Sequence, residues 1–242
     1  MTHRIAFVAA AALVALAGVL VSSASAQKAP ATDDEKTIYA LGVSIARNIE
    51  PFALTQEELQ FLFAGLRDEI AGKESAVPLD EYGPRIRTLA EARTQATAVA
   101  ERKAGDAFLA QEAGADGATK LASGLVFRSI TEGSGPSPGP EDTVRVHYTG
   151  KLRDGTVFDS SAERGEPAQF RLGGVIPCWT EALQKMKVGG KAHITCPPDM
   201  AYGDRGFPGS IPPGATLAFD VELLEILPSQ EPPAAPAPPG AP

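Results

Sequence analysis

The 242-residue sequence is poor in cysteine, histidine and aromatic residues. It contains two cysteines, three histidines and one tryptophan, and aromatic residues make up only 6% of the chain. Two cysteines are too few for a disulfide-dense scaffold or a cysteine-rich zinc module. The 22 basic residues are outnumbered by 30 acidic ones, which gives a net charge of −8. Because nucleic-acid binding needs a positive surface, we expect no nucleic-acid partner.

Motifs for metal and nucleotide chemistry are also missing. The sequence contains neither H-E-x-x-H nor G-x-x-x-x-G-K-[ST], the patterns of zinc peptidases and phosphate-binding loops. His147 and His193 alternate with apolar residues in strand-like segments, and neither has metal-ligand spacing around it. We therefore expect an activity that uses no metal and no cofactor.

The first 26 residues have the pattern of an export signal. Arg4 precedes an apolar run over residues 5–21, and Ala24-Ser25-Ala26 fits an A-x-A cleavage site. An uncleaved membrane anchor is the alternative, although the run is short for a membrane span. No second long apolar run follows. We expect cleavage, export with the periplasm as the expected compartment, and no stable membrane insertion afterwards.

Residues 27–118 are predicted to form a helical domain that ends in a long connecting helix. Capping boxes at 32–35 and 55–58 each precede apolar residues at helical spacing. A third pattern over about 84–113 is rich in alanine, so we expect a strut that buries little. Because such helices make a poor core, we predict that residues 33–75 form a dimerisation unit. Folding of these helices back onto the chain's own C-terminal domain is the alternative.

Residues 119–227 change to a hydrophobic period of two, which predicts β-strands. The alternating segments lie at 144–149, 192–196 and 217–223. Asp154-Gly155 predicts a hairpin turn, and residues 179–187 have the pattern of one short helix. One helix against an antiparallel sheet predicts an α+β fold.

Residues 228–242 form a tail of different composition. Proline occupies 7 of these 15 positions, and alanine 4 of the other 8. This composition predicts a disordered or polyproline-like segment. A role as a ligand for partner domains is the alternative.

Several segments resemble one known family. A resemblance to the FKBP-type peptidyl-prolyl cis-trans isomerases rests on VRVHYTGKLRDGTVFDSS (144–161), FRLGGVIPCW (170–179) and PPDMAYGDRGFPGSIPPGATLAFDVELLEI (197–226). The segments YALGVSIARNI (39–49) and FAGLRDEIAGK (63–73) resemble the amino-terminal helical domain of the macrophage infectivity potentiator class of exported bacterial FKBPs. The resemblance implies an antiparallel sheet wrapped around one short helix, with an apolar pocket between them.

The resemblance also implies which residues act. Catalytic positions would be Tyr148, Phe158, Asp159, Tyr202 and Phe219, and substrate-binding positions Arg164, Val175, Ile176, Trp179 and Ile211. Arg164 would pair with Asp159, and Trp179 would lie beneath the prolyl ring. The Ile176 N–H and the Tyr202 hydroxyl would hold substrate carbonyls. X–Pro segments of unfolded exported proteins would be the substrates, and macrolides such as tacrolimus would be inhibitors.

Cys178 and Cys196 are 18 positions apart, too far for a C-x-x-C redox motif. Export permits a disulfide, and the family fold brings the two segments together. A bridge is therefore the hypothesis, with two buried thiols as the alternative.

Two functions other than catalysis fit the same sequence. A holdase chaperone with a weak isomerase pocket would protect substrates that lack proline. An interaction protein would use the pocket only to dock a partner. Intact Phe158, Asp159 and Tyr202 favour the isomerase.

Overall fold

The computed structural model describes residues 29–227; the predicted export signal, 1–26, and the predicted tail, 228–242, lie outside the described residues. The chain divides into two compact units, one up to Leu41 and one from Gly42 onward. The predicted domain boundary at 118/119 falls inside the second unit and stays a prediction. Among the described residues, no helix is both long and apolar enough to cross a membrane.

Three helices occupy the first part of the described chain. They are α1 (Asp33–Ile49), α2 (Gln56–Ile70) and α3 (Leu79–Ala113). Both predicted capping boxes are confirmed. The Glu35 carboxylate accepts from the Thr32 N–H at 3.0 Å, and Thr32 Oγ1 accepts from the Glu35 N–H at 3.2 Å. Thr55 and Glu58 form the same pair at the start of α2. These bonds satisfy N–H groups that have no partner inside the helix.

Helix α3 starts earlier than predicted and is more than a strut. It begins at Leu79 and runs for 35 residues, about 50 Å, so the predicted start near Pro84 is wrong. Proline removes one intrahelical hydrogen bond, and the surrounding helix continues through it. Ala98, Gly105 and Leu109 are buried, so the middle of the helix packs against the rest of its unit.

Within the described residues, seven strands form one antiparallel sheet. Their bounds are β1 Ala118–Lys120, β2 Val126–Thr131, β3 Thr143–Leu152, β4 Val157–Ser160, β5 Ala168–Arg171, β6 Lys191–Cys196 and β7 Leu217–Leu227. The order is β1-β2-β6-β7-β3-β4, with β5 also paired to β3. In β3, Val144, Val146 and Tyr148 are buried and their neighbours are not, as the alternation predicts. A helical N-terminal region followed by this sheet confirms the α+β prediction.

Two short helices complete the sheet domain. Helix α4 spans Ser161–Arg164, and α5 spans Pro177–Leu183, so the predicted bounds of 179–187 are wrong at both ends. Pro177 fits the first turn, where its missing N–H costs nothing. After Leu183 the chain continues as turns rather than helix. Helix α5 buries Cys178 and Trp179 in the core that the sheet encloses.

Candidate active site

A cavity of about 340 Å³ opens among β3, β4, β5, β7, the start of α5 and the loop after β6. It is lined by Tyr148, Phe158, Asp159, Phe170, Gly174, Val175, Ile176, Trp179, Tyr202 and Phe219. Eight of the ten residues named from the sequence therefore come together here. They derive from segments more than 70 positions apart, which only the folded sheet brings into one place.

Aromatic rings form the apolar wall of the cavity. Trp179 is only 3% exposed and meets the rings of Tyr148 and Phe219 edge-on, with centroid separations of 5.1 and 5.4 Å. Phe170 contacts it in the same way at 5.4 Å, and Phe158 contacts Phe219 at 5.7 Å. Perpendicular packing suits the ring quadrupoles. The wall is therefore a mutually supported cluster rather than a set of loose side chains.

A polar group lies beside this wall. The Tyr148 hydroxyl donates to the Asp159 carboxylate, and Arg164 donates both to Asp159 and, at 3.0 Å, to the Tyr148 oxygen. The Asp159 charge is thus balanced by Arg164 at the cavity edge.

The two tyrosine hydroxyls of the cavity stay protonated at neutral pH. Burial, together with the bond to Asp159, raises the pKa of Tyr148. Burial and the charge of Asp159 raise the pKa of Tyr202. The Tyr148 hydroxyl therefore keeps the proton that it donates to Asp159, and the Tyr202 hydroxyl keeps one to donate, whereas a phenolate could only accept.

Gly150 makes room for the aromatic wall. In β3 it pairs with Phe219 of β7 on one side and with Asp159 of β4 on the other. A Cβ at this position would lie 2.6 Å from the Phe158 ring and 2.9 Å from the Phe219 ring. A glycine inside a strand often marks such a close approach, and the sequence reasoning overlooked that signal.

Comparisons with known proteins agree with this geometry. Residues 135–224 match the family profile described as FKBP-type peptidyl-prolyl cis-trans isomerase, and residues 34–128 match the one described as the domain amino terminal to it. A protein of Escherichia coli (strain K12) named FKBP-type 22 kDa peptidyl-prolyl cis-trans isomerase is 45% identical over 202 residues, covering 81% of this chain and 97% of that protein. The chain belongs to the FKBP-type peptidyl-prolyl cis-trans isomerase family.

Two further relatives match most of the chain. The crystal structure of FkpA from Escherichia coli superposes with a TM-score of 0.63 and 38% identity, covering 82% of this chain and 98% of that one. The outer membrane protein MIP of Legionella longbeachae is 34% identical over 223 residues, covering 89% of this chain and 95% of that protein. The resemblance to the macrophage infectivity potentiator class is thereby confirmed. As an FKBP-type isomerase, the protein binds proline-containing substrates.

In this isomerase, the start of α5 is tied to the sheet by a disulfide. Cys178 and Cys196 are bonded, with Cα atoms 5.8 Å apart, and both side chains are fully buried. Since Trp179 follows Cys178 directly, the bridge anchors the backbone that carries the indole to the end of β6.

Two predicted residues of the isomerase site do not line the cavity. Arg164 reaches it only through its bonds to Tyr148 and Asp159. Ile211 is buried in the same core cluster as Trp179 and Phe219 and lines a second cavity of about 290 Å³ with Pro51. A backbone bridge joins Phe207 to Ile211, so the segment 207–211 folds back on itself.

Conversely, Phe170 and Gly174 line the isomerase cavity without having been predicted. Both lie within the segment 170–179 that carries the family resemblance. The strand β5 that presents Phe170 is only four residues long, so its alternation was too short to detect.

Proposed function

We propose that this cavity catalyses X–Pro rotation by removing the substrate amide from water. Resonance gives the amide double-bond character and a rotation barrier of about 20 kcal/mol. The planar amide is more dipolar than the twisted one, so an apolar surrounding disfavours the planar state relative to the transition state. Such differential stabilisation lowers the barrier without a nucleophile.

The apolar and the polar groups that line the cavity would contact different parts of the substrate. Trp179, 3% exposed and in edge-on contact with three aromatic rings, would hold the prolyl ring. The Tyr202 hydroxyl and the Ile176 N–H, which precedes the first turn of α5, would hold substrate carbonyls. Asp159 would lie beside the rotating carbonyl. No proton changes place, so we assign Asp159 no acid–base role.

The observation that supports this proposal is the convergence of the predicted residues on one aromatic cavity. The test is the cis–trans exchange rate of a short X–Pro peptide, measured by NMR in the presence of purified protein that comprises residues 27–242. We expect Phe158→Ala to lower kcat/KM at least tenfold, roughly 1.4 kcal/mol of transition-state stabilisation. The matched control is Phe61→Ala, because Phe61 lies on α2 and is 72% exposed.

Equal exchange in wild type and Phe158→Ala would contradict the proposed site. Absence of any acceleration by wild type would contradict catalysis on that peptide. If the protein then suppresses the aggregation of clients that lack proline, a holdase function would be favoured instead.

We also propose that the helical region forms a homodimer. Phe63, Leu66 and Ile70 recur on one face of α2 and are 49%, 41% and 86% exposed. Exposed apolar stripes of this kind mark interaction surfaces. Sedimentation should give a dimer mass for wild type and for the off-face control Phe61→Asp, and a monomer mass for Leu66→Asp. A monomeric wild type at micromolar concentration would contradict the dimer.

The proposed setting is the periplasm, with exported proteins as clients and macrolides as inhibitors of the cavity. Two features support export: the signal pattern over residues 1–26 and the Cys178–Cys196 disulfide, since disulfides persist in oxidising compartments. Cell fractionation and amino-terminal sequencing test it, and we expect a mature chain that begins at Gln27. Recovery of an uncleaved chain with the cytosolic fraction would contradict export.

A further inference from the structure

The loop that carries Tyr202 is held from both sides by one residue of helix α3. Asp199 lies three positions before Tyr202 and Asp204 two positions after it. Arg102 Nη2 is 2.6 Å from Asp199 Oδ1, and Arg102 Nε is 2.7 Å from Asp204 Oδ1. The planar guanidinium presents its donors in a fixed fork, so both carboxylates are set at defined positions relative to one rigid group.

The same face of α3 packs against the far end of this loop. Ala98, Arg102 and Gly105 are four and three positions apart, which places them on one helix face. Ala98 is buried, and a Cβ on Gly214 would collide with its backbone. A Cβ on Gly105 would collide with the Thr216 side chain. The loop therefore has little freedom to move while it stays on the helix.

The ion pairs themselves are partly open to solvent. The Arg102 side chain is 33% exposed and that of Asp199 is 76% exposed. Such pairs contribute little to the free energy of folding. Their contribution is geometric, so loss of Arg102 should leave the fold intact and change where the loop stands.

We propose that Arg102 is a positioning residue for the isomerase reaction, acting by clamping Asp199 and Asp204 so that Tyr202 is held at the cavity. The inference rests on the proposed role of the Tyr202 hydroxyl. It makes helix α3 part of the catalytic apparatus, although α3 contributes no side chain to the cavity lining.

A double-mutant cycle on X–Pro exchange tests the clamp. We expect Arg102→Ala to lower kcat/KM about fivefold, because a small displacement of a binding group is costly. In the Tyr202→Phe background the same change should have no further effect. Arg102→Lys should recover only part of the loss, since an ammonium group lacks the fork.

Arg153→Ala is the matched control. Arg153 joins the β3–β4 turn to Glu101 of α3 at 3.0 and 3.1 Å, so it also ties the helix to the sheet domain, whereas the ion pairs of Asp199 and Asp204 are with Arg102. We expect its kcat/KM to equal that of wild type. If Arg102→Ala proves unfolded by circular dichroism, the pair Asp199→Asn and Asp204→Asn removes the same clamp from the other side.

Three outcomes would overturn the clamp: no effect of Arg102→Ala, an equal loss with and without the Tyr202 hydroxyl, or an equal loss in Arg153→Ala. Failure of the proposed function looks different. In that case wild type would show no exchange activity, or Phe158→Ala would retain all of it, whatever Arg102 does.

Discussion

Opening the Cys178–Cys196 disulfide should destabilise the isomerase domain by about 3 kcal/mol. The bridge closes a loop with a sequence separation of 18, and the chain-entropy relation converts a loop of that size into about 3 kcal/mol at 25 °C. Both side chains are fully buried. Reduction leaves the two thiols among the same native contacts, so the effect arises from the greater freedom of the unfolded chain.

Urea unfolding of oxidised and reduced protein measures this difference. Trp179 is the only tryptophan and is buried beside Cys178, so its fluorescence follows this domain. With a slope of about 2 kcal/mol per M for urea, the midpoint should fall by about 1.5 M on reduction. The double variant Cys178→Ala/Cys196→Ala is the control, because reductant should leave its midpoint unchanged.

Coincident midpoints for the oxidised and reduced protein would refute the chain-entropy argument. A separate thiol titration of denatured, unreduced protein checks the bridge itself. We expect no free thiol, and two free thiols would show that the buried-thiol alternative is right.

Other perturbations test the site and the helical region. Gly150→Ala should displace the Phe158 ring and lower kcat/KM about tenfold, since a small misplacement of a catalytic side chain is costly. An unchanged rate of peptide exchange would mean that the aromatic wall accommodates the added methyl group. The raised pKa of Tyr148 predicts a rate that stays constant from pH 6 to pH 9, and an alkaline loss would contradict it. The hydrogen bond from Arg93, together with the hydrogen bonds to Thr55, lowers the pKa of Glu58 from 4.5 to about 2. Wild type should therefore be more stable than Glu58→Gln above pH 4.5 and lose that advantage as the pH falls toward 2. If the two proteins differ in melting temperature by the same amount at both ends of this pH range, the ion pair is not the cause.

Local sequence signals predicted the elements that depend on neighbouring residues. The starts of α1 and α2 follow from capping bonds between residues three positions apart, which a short sequence window contains. The alternation in β3 predicted its buried face for the same reason. The predicted boundaries of α3 and α5 were wrong, because contacts outside a short sequence window set them. Pro84 is accommodated inside α3, and α5 ends at Leu183, before the predicted end at residue 187.

The candidate site was predicted through family motifs rather than through periodicity. Taken singly, Tyr148, Phe158 and Phe219 have the pattern of core residues in alternating strands. The joint resemblance identified eight lining residues but misplaced Ile211 and omitted Phe170. Whether a side chain lines a cavity depends on the path of its loop, and that path is set by contacts with distant segments.

The sequence by itself determined the fold class, the family, the starts of α1 and α2 and most of the cavity lining, because capping, alternation and motifs are local patterns. Only the tertiary structure revealed the space that Gly150 leaves for two rings and the clamp of Arg102 on the loop of Tyr202. Arg102 and Asp199 are 97 positions apart, and neither has a neighbour in sequence that marks it. The two residues come into contact only because α3 packs beside the sheet, and this packing is established when the core forms.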